Sequence, residues 1–221
     1  ISIKEVFSDI IVEAPLGSRT KLTLPDGTLV WLNAGSRITY SQGFGVGNRK
    51  IELIGEGYFE VKRNEEVPFL VKTNSLLVKV LGTKFNFRDY PDDAEAIVSL
   101  SEGKVALNNL LKKEKEAFLL PNERVVLNKK NGRMHVEYST VSNALQWTNG
   151  YLFFDEELLP DVVKELERSY NVKIQIASDT LNTFRFYGNF VHREQNIQEV
   201  LEALSATRKI HYIIEGHNIT L

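Results

Sequence analysis

The most regular alternation of apolar and polar positions lies in residues 50–62. Odd positions there are apolar or glycine, and most even positions are charged, as expected for a β-strand with one face in a core and one in water. The stretch is long for a single strand. Gly55 and Gly57 have no side chain to pack within it, so we predict a bend or bulge at this point.

The alternation changes parity once within residues 96–107, which predicts an inserted residue or a turn at Glu102-Gly103. Further strands are predicted at residues 19–24, 28–33, 69–73, 76–81, 85–90, 124–128 and 134–138. Turn residues separate them, for example Asn131-Gly132. Many short strands at this spacing indicate an all-β sandwich, a barrel or a β-solenoid-like arrangement, and the pattern alone does not choose among them.

The period changes near residue 141. Apolar residues in 159–170 recur at helical spacing, with Pro160 in the first turn, and a short strand is predicted before them at 151–154. A second helix is predicted to begin after Asn196, with Glu199 placed to complete a capping box. Strands follow at 173–176, 210–214 and 218–221.

The two helix-then-strand units are offset by 38 residues, since Val162 aligns with Val200 and Leu166 with Leu204. Two copies predict a small two-layer α/β domain with both helices on one sheet. The fold class is therefore mainly β plus α/β. We predict an all-β domain in residues 1–140, a linker in 141–150 and the small α/β domain in 151–221.

Composition removes several classes of function. The formal net charge of −2 gives no basic excess for a phosphate backbone, so nucleic acid is not an expected partner. The chain has no cysteine, which excludes disulfides and thiolate metal sites. No apolar run approaches the roughly 20 residues that cross a bilayer. Because the first residue is Ile1, we expect the sequence to be a fragment of a longer protein.

No residue set predicts catalysis, a cofactor or a metal ion. The four histidines lack the spacing of a zinc site. The glycine-rich residues 43–47 precede a strand instead of the helix that a phosphate loop needs, so a hairpin loop is predicted. The acidic residues 155–157 precede a helix, where negative charge is favourable.

An aromatic segment near residue 186 is the candidate partner-binding site. Phe184, Phe186 and Phe190 share one parity and are expected in the core. If the segment lies at the edge of a sheet, its free backbone groups can accept a strand from another chain. The candidate residues for this docking are Thr183, Phe184, Arg185, Phe186 and Tyr187.

Five sequence blocks stand out in the first half of the chain: LPDGT (24–28), VWLNAGS (30–36), GEGYFEV (55–61) followed by PF (68–69), VLGTKFNF (80–87) and VSLSEGKV (98–105). In this order and spacing they resemble the FecR family of sigma-factor regulators. The second half is similar to the domain that follows FecR in Bacteroidetes-type regulators, itself similar to the short N-terminal domain of secretins and TonB-dependent receptors. Its blocks are WTNGYLFF (147–154), YNV (170–172), GNF (188–190) and NI (196–197).

The resemblance implies a periplasmic region, anchored in the parent protein to the inner membrane by a single helix. Such a region receives a signal from the N-terminal signalling domain of a TonB-dependent outer-membrane transporter. A separate cytoplasmic domain, expected outside this chain, holds and then releases an extracytoplasmic-function sigma factor. The family pattern carries no catalytic residues. Two alternatives stay open: a carbohydrate-binding β-domain that uses Trp31 or Tyr58, and a structural interaction module.

Overall fold

The structure of the protein, a computed structural model, describes residues 8–206 and 210–221. Contacts divide the chain into two compact units. The first contains Arg19–Leu145 together with the segment that ends at Ala14, and the second contains Pro15–Ser18 and Gln146–Leu221. Residues 1–7 of the predicted all-β domain lie outside the described part of the chain.

The first unit is built from strands. They are β1 (Asp9–Ala14), β2 (Thr20–Thr23), β3 (Leu29–Leu32), β4 (Ser36–Ser41), β5 (Arg49–Glu60), β6 (Phe69–Lys72), β7 (Leu76–Val80), β8 (Lys84–Asp89), β9 (Glu95–Glu102), β10 (Val105–Asn109), β11 (Ala117–Leu119), β12 (Glu123–Asn128) and β13 (Met134–Tyr138). Every strand predicted in this half is present. The parity change is also confirmed, because β9 ends at Glu102 and Gly103 turns the chain with a φ of +95°.

These strands form one 13-stranded sheet that is a nearly closed barrel. From β11 the order is β11-β10-β7-β6-β5-β8-β9-β12-β13, while β4 and β3 also pair with β5 and carry β1 and β2. Neighbours run antiparallel except for β5 with β6. The all-β prediction is confirmed, and the barrel is one of the architectures that the strand spacing leaves open.

Strand β5 belongs to both halves of this sheet. Its first half pairs with β4 and β6, and its second half, from Gly55, pairs with β3 and β8. The change of partners occurs where Gly55 adopts a φ of +97°. A Cβ atom there would lie 2.4 Å from the Ser36 hydroxyl and 2.9 Å from the Ser36 Cα. The bend predicted at the glycines is therefore confirmed, and the close approach of β4 requires glycine at residue 55.

The core of the first unit is mainly apolar, and a buried polar network lies at the bend. Phe59 and Phe85 stack at 5.1 Å between ring centroids, and both are fully buried. Glu56 is 4% exposed and accepts hydrogen bonds from the side-chain amides of Asn33 at 2.9 Å and Asn86 at 2.8 Å. These donors satisfy a carboxylate that would otherwise be costly to bury.

Two short helices follow the last strand of the sheet along the chain. They are α1 (Val141–Ala144), in the first unit, and a 3₁₀ helix (Gln146–Asn149), in the second. The segment predicted as a linker at 141–150 is thus locally folded, and Trp147 is buried within it.

The second unit contains two longer helices and five strands. The elements are β14 (Tyr151–Leu158), α2 (Leu159–Tyr170), β15 (Lys173–Gln175), β16 (Arg185–Val191), α3 (Ile197–Ser205), β17 (Ile213–Glu215) and β18 (Asn218–Thr220). Pro160 lies in the first turn of α2, as predicted. The capping box of α3 is confirmed: the Asn196 side chain accepts from the Glu199 N–H, and the Glu199 carboxylate accepts from the Asn196 N–H.

The strands of this unit fall into two sheets, where a single sheet was expected. β14 and β16 form an antiparallel pair, while β15, β18 and β17 form a three-stranded sheet. The difference arises because β15 takes β18 as its parallel neighbour, whereas β16 returns antiparallel to β14. One apolar core serves both helices and includes Val162, Leu166 and Leu201.

Candidate partner-binding site

Strand β16 contains most of the predicted docking segment and has one described strand neighbour, β14. Two hydrogen bonds fix the direction of its backbone groups. The Phe184 carbonyl accepts from the Leu159 N–H at 2.8 Å, and the His192 N–H donates to the Gly150 carbonyl at 2.9 Å. Because backbone groups alternate along a strand, even-numbered residues of β16 face β14. Arg185, Tyr187 and Asn189 direct their backbone groups to the other edge.

The open edge is closed at one end by a side chain. The Val191 N–H donates to Oε1 of Gln195 at 2.8 Å, and the Val191 carbonyl accepts from the Glu194 and Gln195 N–H groups. Val191 has odd parity, so this arrangement independently supports the assignment of odd residues to the open edge. The accessible stretch of edge therefore runs from Arg185 to Asn189 and stops there.

The side chains of the even-numbered residues Phe186 and Phe190 of β16 pack into the core. Phe186 and Phe190 are 6% and 5% exposed and lie parallel, with an interplanar angle of 5° and centroids 6.2 Å apart. Both rings cover Gly188, where a Cβ atom would lie 2.6 Å from Phe186 and 2.7 Å from Phe190. The phenylalanine parity predicted from the sequence is confirmed, and these rings are not available to a partner.

A bulge in β14 shapes the surface beside the open edge. The register shifts between Phe154 and Glu157, and Glu156 adopts a φ of +54°. Arg185 donates to the Glu156 carbonyl at 2.5 Å. A hydrogen bond to the Glu156 carboxylate, with smaller contributions from burial and the Asp155 charge, raises the pKa of Tyr187. The exposed side chains at the bulge thus form a polar cluster with one aromatic ring.

The five predicted residues therefore divide into four groups. Arg185 and Tyr187 are exposed on the open edge, with Tyr187 59% exposed. Phe186 is core. Phe184 is half-buried, and its carbonyl is used by Leu159.

Thr183 ends a 3₁₀ helix (Asp179–Thr183) and donates its hydroxyl to the Thr180 carbonyl, so it lies before the strand. Sequence reasoning missed Asn189, because the segment was ended at Tyr187. The alternation of Arg185 and Tyr187, continued to the next odd-numbered position, would have included Asn189.

The other candidate chemistry resolves into local structure. The glycine-rich residues lie in the antiparallel connection of β4 to β5, as predicted for a hairpin loop, and Phe44 is buried. The Nε2 atom of His192 lies 2.6 Å from the Ser169 carbonyl oxygen, and its ring is 4.8 Å from that of Tyr170. Within residues 8–206 and 210–221, no group of three His, Asp or Glu side chains could hold a metal ion.

Trp31 and Tyr58, on which the carbohydrate-binding alternative depends, pack against each other with centroids 5.3 Å apart. Burial, reinforced by the Glu60 carboxylate, raises the pKa of Tyr58 to about 12. The Lys21 ammonium lies 4.5 Å from the centroid of the Trp31 ring. Both aromatic rings are thus engaged within the first unit.

Among the described helices, none has the length and apolarity needed to span a bilayer.

The two units define a mainly β region with a small α/β domain after it. Two family models match them: the model described as FecR protein matches residues 11–106, and the model described as FecR, C-terminal matches residues 151–221. The chain belongs to the FecR family of anti-sigma factors.

Solved structures agree with this assignment. Two crystal structures of a proposed anti-sigma factor from Parabacteroides distasonis, at 1.65 Å and 2.50 Å resolution, are each 33% identical in sequence. Their TM-scores are 0.87 and 0.88, and the matches cover 96% and 97% of this chain and 97% and 98% of theirs. No curated protein matches the sequence.

Proposed function

We propose that this chain is the periplasmic sensing region of a transmembrane anti-sigma factor. It receives a signal from the N-terminal signalling domain of a TonB-dependent outer-membrane transporter and controls the release of an extracytoplasmic-function sigma factor. Membership of the FecR family supports the regulatory role. Sigma-factor binding and membrane anchoring are assigned to parts of the parent protein outside this chain.

The open edge of β16 is the observation that carries the partner-binding role. Arg185, Tyr187 and Asn189 present backbone donors and acceptors that no described strand uses. A segment from the signalling domain can add a strand here, with main-chain hydrogen bonds supplying affinity. Tyr187 supplies an exposed aromatic ring, and Arg185 with the bulge of β14 supplies polar contacts at one end.

The geometry also sets the size of the docked segment. From Arg185 to Asn189 the edge is five residues long, and at about 3.4 Å per residue this is roughly 17 Å. Gln195 occupies the next position on the edge by accepting from the Val191 N–H. An added strand therefore pairs over about five residues, and a longer one must turn away at Asn189.

A backbone substitution tests this docking directly. In Asn189→Pro the amide N–H that faces the open edge is lost, while the ladder to β14 keeps its donors. Asn189→Ala is the matched control, because it removes the same side chain and keeps the N–H. In calorimetric titration with the isolated transporter domain, we expect Asn189→Pro to weaken binding at least about tenfold and Asn189→Ala to change it less than about threefold.

Three outcomes would count against the proposal. Absence of saturable binding by the unsubstituted chain to its cognate signalling domain removes the sensing role. Equal loss in the two Asn189 variants shows that the side chain matters and that strand addition is wrong. Full binding by Asn189→Pro places the dock on another surface.

A further inference from the structure

A second exposed surface lies at one end of the barrel, in the loop between β10 and β11. Residues 109–116 read NLLKKEKE, and the two adjacent leucines are exposed: Leu110 by 43% and Leu111 by 45%. We call residues 109–116 the leucine–lysine loop. The polar residues of the loop do not explain why both leucines are exposed, because contact of an apolar side chain with water costs free energy.

Hydrogen bonds hold the leucine–lysine loop in this conformation. The Asn109 side chain accepts from the N–H groups of Leu111 at 3.0 Å and Lys112 at 3.1 Å. Its amide donates to the Gly132 carbonyl at 2.9 Å, and the Leu110 N–H donates to the Ser75 carbonyl at 2.9 Å. The leucines are therefore presented by an ordered loop that is tied to two neighbouring turns.

One of those turns adds positive charge beside the leucines. Gly132 lies in the turn between β12 and β13, and a Cβ atom at Gly132 would be 3.4 Å from the Cβ of Lys112 and 3.8 Å from that of Leu111. The exposed cations of the loop and turn are Lys112, Lys113, Lys115, Lys130 and Arg133. Against them stand Glu114 and Glu116, so the exposed charges of the loop and the turn sum to +3. The remaining cation of the turn, Lys129, pairs with Asp89 at 2.6 Å.

An exposed apolar pair surrounded by cations matches one chemistry in particular. Anionic bilayers attract lysine and arginine to their phosphates and accept apolar side chains at the boundary of headgroup and acyl chain. Nucleic acid would use the cations but leave the leucines in water. We propose that the leucine–lysine loop, with the turn at residues 128–133, binds the surface of an anionic phospholipid bilayer. This contact is separate from β16 and does not depend on the transporter docking proposed above.

Such binding would give the sensing region a second attachment to the membrane. The leucines enter the interface, and the surrounding lysines remain at the level of the phosphates because their long side chains keep the ammonium groups in water.

The test uses the whole chain and vesicles that float in a density gradient. One vesicle preparation contains phosphatidylglycerol and phosphatidylethanolamine in equal amounts, and the other contains phosphatidylcholine alone. Each lysine near an anionic surface contributes about fivefold to partitioning. We therefore expect the double variant Lys112→Glu/Lys113→Glu to lower partitioning into the anionic vesicles by at least about 25-fold.

The control changes the same charge elsewhere. Lys50→Glu/Lys62→Glu alters two exposed lysines, and Lys50 lies on β5, three strands away from β10 in the sheet. Lys50 and Lys112 each have a glutamate two residues later within salt-bridge distance, so local pairing is matched. A second pair isolates the apolar contribution: Leu110→Ser/Leu111→Ser is expected to weaken binding about tenfold, while Val46→Ser, at an exposed valine in another loop, is expected to leave it unchanged.

The outcomes separate lipid from other anions. Binding to anionic vesicles that falls with both patch variants and not with the controls supports the proposal. Equal binding to phosphatidylcholine, equal loss in the control double variant, or no flotation at low salt overturns it. Binding to a DNA duplex as tight as to the anionic vesicles also overturns it, because the surface would then be a general attractor of anions.

Discussion

Substituting Gly55 by alanine tests the central feature of the first unit, the bend at which β5 changes partners. The added Cβ atom would lie 2.4 Å from the Ser36 hydroxyl, 2.8 Å from its Cβ and 2.9 Å from its Cα. The hydroxyl could rotate away, but the Cα is backbone of β4 and cannot. The Ser36 hydroxyl also accepts from the Glu56 N–H at 2.8 Å, so moving it breaks a buried hydrogen bond.

The expected cost has three parts. A left-handed φ costs a residue with a Cβ about 1–2 kcal/mol. Forcing an extra carbon into a closely packed site costs about 1–3 kcal/mol, and the lost buried hydrogen bond costs about 1 kcal/mol. We therefore expect Gly55→Ala to lower the free energy of unfolding of the first unit by about 3–6 kcal/mol.

Gly45→Ala is the control that separates backbone strain from steric clash. Gly45 has a φ of +89°, close to the +97° of Gly55, but nothing lies within 4 Å of a Cβ atom at that position. Only the conformational cost of about 1–2 kcal/mol applies there. The difference between the two variants therefore measures the close approach of β4 to β5.

Urea unfolding followed by tryptophan fluorescence gives the measurement. The chain has two tryptophans, Trp31 in the first unit and Trp147 in the second, so a Trp147→Phe background reports on the first unit alone. If the two alanine variants lose the same stability, the contact with Ser36 is not what requires glycine at residue 55. Our account of the bend would then be wrong.

Two further substitutions test packing in each unit. Glu56→Ala removes the acceptor for the buried amides of Asn33 and Asn86, so we expect a loss of about 2–4 kcal/mol in the same Trp31 assay; a loss below about 1 kcal/mol would show that the network is not needed. Gly188→Ala places a Cβ atom against the two core rings that cover it and should destabilise the second unit by about 1–3 kcal/mol, measured by Trp147 fluorescence in a Trp31→Phe background. An unchanged midpoint there would mean that the rings move apart freely.

Local patterns predicted most of the elements because their causes are local. The strict alternation in residues 50–62 predicts β5, and the glycines within it predict its bend. Asn196 and Glu199 lie three residues apart and predict the start of α3, because the hydrogen bonds of the capping box form within one helical turn. In each case the residues that carry the signal are the residues that make the contacts.

The elements that were missed have weak local signals. In β1, three consecutive apolar residues hide the alternation, and in β4 only Ile38 and Tyr40 are apolar. β11 has three residues, too few to show a period. Each of these strands is specified by its partner: β1 pairs along its whole length with β4, and β4 pairs with β5.

Pairing between distant strands could not be predicted for the same physical reason. The sequence of residues 173–191 does not indicate that β15 pairs with β18 and β16 with β14, because this pairing depends on contacts with residues far along the chain. The candidate site shows both sides of this limit. Parity correctly assigned Phe186 to the core, whereas the open edge, its closure by Gln195 and the place of Thr183 before the strand required the three-dimensional arrangement.

The sharing of β5 between the two halves of the barrel has a consequence for how the first unit folds. Neither half can complete its hydrogen bonds until this one strand is in place, and its four partners lie both before and after it in the chain. Strands made earlier, β3 and β4, can pair with β5 as it emerges from the ribosome, but β6 and β8 arrive later. Closing the barrel then requires contacts between strands that are far apart in the sequence, and such contacts slow folding. During synthesis β5 lacks its later partners β6 and β8, and the exposed charged residues Lys50 and Glu52 at its first end disfavour pairing with other chains.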